Sequence, residues 1–123
     1  MQKGTTTFGR YMRDKRIAAG RSLRDLAAEL DVSHVYLGEV ERGVSKPLRE
    51  DRWPALVAAV PGITLDGLKR ASEITKGVQL ELNDAPAVYQ NLALSLARRI
   101  KTQDLSERRM QQILELLDRG DDE

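Results

Sequence analysis

The side chains of this sequence best placed to do chemistry crowd into residues 21–49, where Arg21, Arg24, Arg42, Lys46 and Arg49 surround two short apolar-patterned stretches. Cationic groups in that density suit contact with a polyanion, because each can neutralise one phosphate. Catalytic chemistry has much less to work with. The chain holds one histidine, His34, and no cysteine, and it has no glycine-rich phosphate loop. His34 could be grouped with Glu39 and Glu41 as a metal site, but Glu41 follows Leu37 by four residues and turns inward, away from His34. The expectation is therefore no metal, no cofactor and no enzymatic activity.

The composition agrees with a binding protein of ordinary solubility. Of 123 residues, 41% are hydrophobic and 32% charged, which suits a folded chain rather than a disordered one. The net charge is only +1. Its distribution is uneven: residues 1–49 carry ten Lys/Arg against six Asp/Glu, and residues 50–123 carry ten against thirteen. A basic amino-terminal half can aim one face at a polyanion. No apolar run approaches the roughly 20 residues of a membrane span, and the N-terminus lacks a secretory h-region. With no cysteine to demand an oxidising compartment, the expected location is the cytoplasm.

Helical periodicity governs residues 7–73. Thr7 is in position to cap a helix running to about Ala19, with Phe8 and Met12 one turn apart and Gly20 as its stop. Ser22 caps a second helix whose Leu23, Leu26, Ala27 and Leu30 form one stripe. A third starts at Ser33 and stops at Gly43, with Leu37 and Val40 facing inward. Val44–Glu50 reads as a loop, and Asp51–Val60 as a fourth helix with Pro54 in its first turn. Pro61-Gly62 ends that helix, and Thr64 caps a fifth carrying Leu65 and Leu68.

Only Asp31 and Val32 separate the second and third helices. Ala27 is small where the two must approach, and Asp tolerates the left-handed backbone of a sharp turn better than most non-glycine residues. Two helices so tightly joined have the helix-turn-helix geometry, in which the second can enter a major groove.

Beyond residue 73 the pattern changes. Val78, Leu80 and Leu82 alternate with Gln79 and Glu81, which fits a short strand or an extended linker over 74–85. Asn83-Asp84-Ala85-Pro86 is a helix-start signal, after which Val88, Leu92, Leu96 and Ile100 recur every four residues. A last helix begins near Asp104 or Ser106, with Met110, Ile113, Leu114 and Leu117 on one side. The expected fold is all-α: a five-helix domain over 7–73, a short extended segment over 74–85, and a two-helix hairpin over 86–119.

The stretches Phe8-Gly9-Arg10 through Arg16, Gly20, Leu26-Ala27, and Ser33…Leu37…Glu41-Arg42-Gly43 with Lys46-Pro47 carry a family likeness. On them, residues 7–73 resemble the Cro/phage-repressor (XRE) family of helix-turn-helix proteins. The resemblance implies a repressor-like DNA-binding domain, usually dimeric, that regulates transcription. Leu23 stands where the family usually carries a Gln that contacts a phosphate or base, Asp31 replaces the usual turn glycine, and the loop Val44–Asp51 is longer than in the smallest phage repressors.

By family position His34, Val35 and Glu39 face base edges. Val35 suits a thymine methyl and Glu39 a cytosine amine, while Gly38 leaves room for close approach. Ser33 is first a helix cap and secondarily a DNA contact. His34 is either a solvated histidine at a helix start or a contact to base or phosphate. Phosphate contacts are expected from Arg42, Lys46 and Arg49, and from Arg21, Ser22 and Arg24 at the start of the second helix, where free amides favour an anion. Arg24 is the candidate to supply the contact that Leu23 cannot make. Arg10 and Arg13 read as ordinary surface charges. Arg16 follows Phe8 and Met12 at intervals of four, and Glu41 follows Leu37 likewise, so opposite charges on two core-facing stripes should meet. The resemblance implies such an Arg–Glu pair, with a structural role in holding the first helix to the third.

The hairpin has two apolar stripes in about 34 residues, more than so small a unit buries alone. Its helices either pack on the helix-turn-helix domain or on each other as a satellite core, or form a dimerisation or interaction module, with Val88, Leu92, Leu96, Met110, Ile113 and Leu117 as its contacts. The region from Trp53 to Leu68 is the other surface on which a dimer could form. The leading expectation is a homodimeric repressor reading a palindromic operator in double-stranded DNA. The alternative is an antitoxin-like module whose C-terminal helices bind a protein partner. RNA binding is disfavoured, since aromatics are only 4% of the chain and offer no stacking platform.

Overall fold

A computed structural model describes residues 5–121 of the chain. Its described residues form seven α-helices and no strand. In order these are α1 (Thr7–Ala18), α2 (Leu23–Leu30), α3 (His34–Glu41), α4 (Trp53–Ala59), α5 (Leu65–Lys76), α6 (Ala87–Thr102) and α7 (Glu107–Arg119), with a 3-10 turn at Glu50–Arg52 leading into α4. The architecture is all-α. The chain divides into two units between Gln79 and Leu80.

In the first unit α1, α2, α3 and α5 each start after a residue whose side chain replaces a missing backbone partner, whereas α4 follows the 3-10 turn without a side-chain cap. The Ser22, Ser33 and Thr64 hydroxyls accept from the amides of Asp25, Tyr36 and Gly67. Such caps stabilise a helix by about 1 kcal/mol each. α1 is capped by Thr6 rather than Thr7, with Thr6 Oγ1 accepting from the Gly9 amide at 3.0 Å. Thr5, Thr6 and Thr7 are chemically alike, so local sequence does not separate them. The preceding amide donor, that of Phe8, goes to Thr75 Oγ1 at 2.8 Å and ties the start of α1 to the end of α5.

The core gathers Phe8 and Met12 from α1, Leu26, Ala27 and Leu30 from α2, Leu37 and Val40 from α3, Trp53 and Leu56 from α4, and Leu68 and Ala71 from α5. Full burial of the Val, Leu, Phe and Met side chains among them is worth about 1.5–3 kcal/mol each. Phe8 and Trp53 stack with ring centroids 6.3 Å apart. The Trp53 indole donates to the Leu48 carbonyl at 2.9 Å and so draws the loop after α3 onto the core. α1 packs on α3 and α5, and α2 packs on α3 and α4.

Gly9 sets how closely α1 can approach α3. A β-carbon there would stand 2.6 Å from the Val40 carbonyl oxygen, and closer still to that of Glu41. Both obstacles are backbone, which cannot swing aside, so any larger residue would push the helices apart. α5 continues to Lys76 because nothing interrupts it before Gly77, whose φ of +83° ends the helix.

In the second unit Ser106 caps α7 by accepting from the Arg109 amide at 3.1 Å. Asp104 is occupied elsewhere, pairing with Arg99 and accepting from the Thr102 hydroxyl. Those two bonds, Thr102 first and Arg99 second, hold its carboxyl below the ordinary aspartate range. α6 starts after Pro86 without a side-chain cap. The alternation over Val78–Leu82 does not produce a strand: the segment has no regular secondary structure, and there is no strand among the described residues to complete a ladder. α6 and α7 flank an apolar groove of about 610 Å³, bounded by Leu96, Ile100, Met110, Ile113, Leu114 and Leu117. No residue of either helix is buried. No helix among the described residues is long and apolar enough to cross a membrane.

Candidate nucleic-acid interface

α2 and α3 have eight residues each, and the turn between them is made by Asp31. Its φ of 57° and ψ of 46° are left-handed, where an aspartate is tolerated at modest cost. The amides of Asp31 and Val32 close back on the carbonyls of Ala28 and Ala27. The guanidinium of Arg52 donates to the Leu30 carbonyl, so the carbonyl end of α2 is also satisfied. With Ala27 buried in the angle between the helices, the pair is held as one rigid element.

Arg16 and Glu41 fix that element to α1. Arg16 Nε donates to Glu41 Oε2 at 2.7 Å and Nη2 donates to Oε1 at 3.0 Å, a two-pronged pair. Glu41 is only 4% exposed and Arg16 13%. The third guanidinium donor, Nη1, goes to the Arg21 carbonyl at 2.9 Å. The hydrogen bond to Glu41 raises the Arg16 pKa above its ordinary value, against the opposing effect of burial. Both charges are thus consumed in holding the end of α3 against α1.

The outward face of α3 is then open. Val35 is 61% exposed, an isolated aliphatic side chain at the start of the helix. His34 and Glu39 are half-buried, and Arg42 is exposed. Val35, Glu39 and Arg42 follow at intervals of four and three and so share one face. Ser33 uses its hydroxyl as the cap, accepting from the Tyr36 amide at 3.0 Å, and remains exposed. Gly38 does not belong with these residues. It is buried, and a β-carbon there would meet Arg42 Nη1 at 3.1 Å and Leu23 Cδ2 at 3.3 Å. Its small size makes room for neighbouring side chains of this chain, not for a base edge.

The basic residues separate into two groups. Arg24, Arg42, Lys46 and Arg49 are exposed. Arg49 lies 3.1 Å from Asp51, but both side chains are well solvated and the contact is worth little. Arg21 differs. Its Nη1 donates to the Ala59 carbonyl and its Nη2 to Glu29 Oε1, both at 2.7 Å. Two of the donors of that guanidinium are thus engaged within the domain, unlike those of the other arginines expected to contact phosphate. Ser22 caps α2 while staying exposed at the helix start. Leu23 is half-buried against the core, consistent with its apolar side chain and unlike a polar contact residue.

Two features of this site escape local sequence patterns. Gly9 is needed for α1 to seat against the end of α3, yet a helical glycine carries no signal of what faces it. Lys76 shares a groove with Lys46 although the two are far apart in the chain. The residues proposed at the hairpin are elsewhere: Val88, Leu92, Leu96, Met110 and Leu117 are exposed, and Ile113 is half-buried.

Comparison with known proteins bears on the first unit. A family model described as a helix-turn-helix domain matches residues 7–73. No curated protein and no solved structure matches the chain. The matched segment is more than half of the 123 residues and contains the α2–turn–α3 pair, so the protein belongs to the helix-turn-helix domain family, with residues 7–73 as its DNA-binding domain.

Proposed function

We propose that the protein is a sequence-specific transcriptional regulator of the Cro/phage-repressor kind, a homodimeric repressor that reads a palindromic operator with α3. The observation that carries this reading is the α3 face on which exposed Val35 and Arg42 flank half-buried Glu39, together with the exposed Lys46 and Arg49. Val35 packs on a thymine methyl, and Glu39 accepts from a cytosine amine. Ser33 and His34 flank them at the start of the helix. Arg24, Arg42, Lys46 and Arg49 contact phosphates and set the register, with Ser22 and the free amides at the start of α2 as a further anion site.

Dimerisation follows from specificity. One small domain buries too little DNA to compete against a genome of alternative sites, and a twofold pair doubles the contacts. The hairpin supplies the pairing surface, through Val88, Leu92, Leu96, Met110, Ile113 and Leu117. What supports this is that so many large apolar side chains in α6 and α7 stay exposed. The same exposed face also favours the second reading, an antitoxin-like module whose hairpin binds another protein. Selection of bound sequences from a random DNA pool tests the proposal. Inverted half-sites about one helical turn apart support it. A pool that stays random overturns it.

A further inference from the structure

We propose that Lys76, at the end of α5, is a further contact to the DNA backbone, and that with Lys46 it lines a phosphate-binding groove outside the helix-turn-helix itself. This rests on the DNA-binding reading above. The groove has a volume of about 490 Å³ and is lined by Val44, Ser45 and Lys46 after α3, by Thr6 before α1, and by Thr75 and Lys76 at the end of α5, among others. Its chemistry is one-sided. Two lysines and three hydroxyls line it, and no carboxylate does.

Neither lysine belongs to an ion pair among the described residues. Both are exposed, so their ammonium groups are available to an outside anion. The threonine hydroxyls are oriented by bonds they already make. Thr6 Oγ1 accepts from the Gly9 amide and Thr75 Oγ1 from the Phe8 amide, which leaves each hydroxyl proton to donate elsewhere. Those two amides also mark the groove as the start of α1, where the helix dipole adds to the positive potential. A phosphodiester, with one charge and two acceptor oxygens, matches this set of donors.

The position favours DNA over a free anion. The groove is bounded by Gly43–Pro47, the stretch that leaves α3 and carries Lys46. A strand whose bases meet α3 continues past that stretch, so its next phosphates come to the groove. Lys76 would then extend the footprint beyond the half-site without reading sequence.

The test is the salt dependence of DNA binding by the full-length protein and its Lys76→Ala, Lys76→Gln and Lys76→Arg variants, with Lys46→Ala alongside. Loss of one phosphate contact should lower the slope of log K against log salt by about 0.9. We expect that fall for Lys76→Ala and Lys76→Gln, equally on specific and non-specific DNA, and a near wild-type slope for Lys76→Arg. An unchanged slope in Lys76→Ala with a reduced one in Lys46→Ala would overturn this inference and leave the wider reading standing. Wild-type protein with no salt-dependent DNA binding would overturn both. Saturable binding of inorganic phosphate that requires Lys76, with an unaltered DNA slope, would assign the groove to a small anion and also defeat the proposal.

Discussion

Glu41 on α3 receives two hydrogen bonds from the guanidinium of Arg16 on α1, at 2.7 and 3.0 Å, while it is almost wholly shielded from solvent. The pair is asymmetric. Glu41 has no other route to water, whereas Arg16 is somewhat more exposed and has the Arg21 carbonyl as a second partner.

That asymmetry gives an expected order of stabilities. Arg16→Met strands a buried carboxylate and should cost about 3–5 kcal/mol. Glu41→Leu leaves an arginine with a path to solvent and a remaining acceptor, so its loss should be smaller. The double variant should cost much less than the sum of the two, because neither charge is left alone. Urea denaturation of the four proteins measures this. Small, additive losses would mean that the pair does not couple α1 to α3.

Gly9→Ala provides an independent check of the α1–α3 seating. In an exposed helix the change would gain up to about 1 kcal/mol from helix propensity. Here the new methyl meets two backbone carbonyls, and overpacking of this kind costs about 1–3 kcal/mol. A net loss is expected in thermal or urea melts. A gain would mean that the helices are not in contact at this point.

Recognition and backbone contacts should separate in binding data. Val35→Ala and Glu39→Ala are expected to change which sequence is preferred, by about 1–3 kcal/mol at the affected base pair. Arg42→Ala should weaken all DNA alike and lower the salt slope. Arg21→Ala should act differently again, destabilising the fold through the Ala59 and Glu29 contacts and leaving the slope unchanged. Competition binding with matched and mismatched duplexes resolves the three behaviours. An equal loss on every sequence from Glu39→Ala would remove it as a reader.

Assembly is tested by light scattering on the full-length chain and on a truncation after Gly77, which keeps the Thr75 bond to the start of α1. The full chain should be a dimer, and the truncation mainly a monomer with weakened operator binding. A dimeric truncation would move the interface to the region from Trp53 to Leu68.

Much of the first unit is legible in the sequence because its signals are local. Ser22, Ser33 and Thr64 each precede an apolar stripe by the right interval, and Asp31 occupies the one position between α2 and α3 that needs a left-handed backbone. The stripes carrying Arg16 and Glu41 follow from a period of four. What escapes is settled by partners distant in the chain. Nothing near Arg21 shows that the Ala59 carbonyl will claim it, and nothing near Gly38 shows that Leu23 will fill the space beside it. The alternation at Val78–Leu82 is real, but alternation makes a strand only where another strand pairs with it.

The most direct measurement of the central claim is the ratio of affinities for the sequence selected from the random pool and for a scrambled duplex, taken at one fixed salt concentration. For a dimer reading bases through α3 the ratio should be about 10³ or more, and it should fall when Val35 or Glu39 is replaced. A ratio near one, unchanged by either substitution, would contradict sequence-specific recognition by this helix.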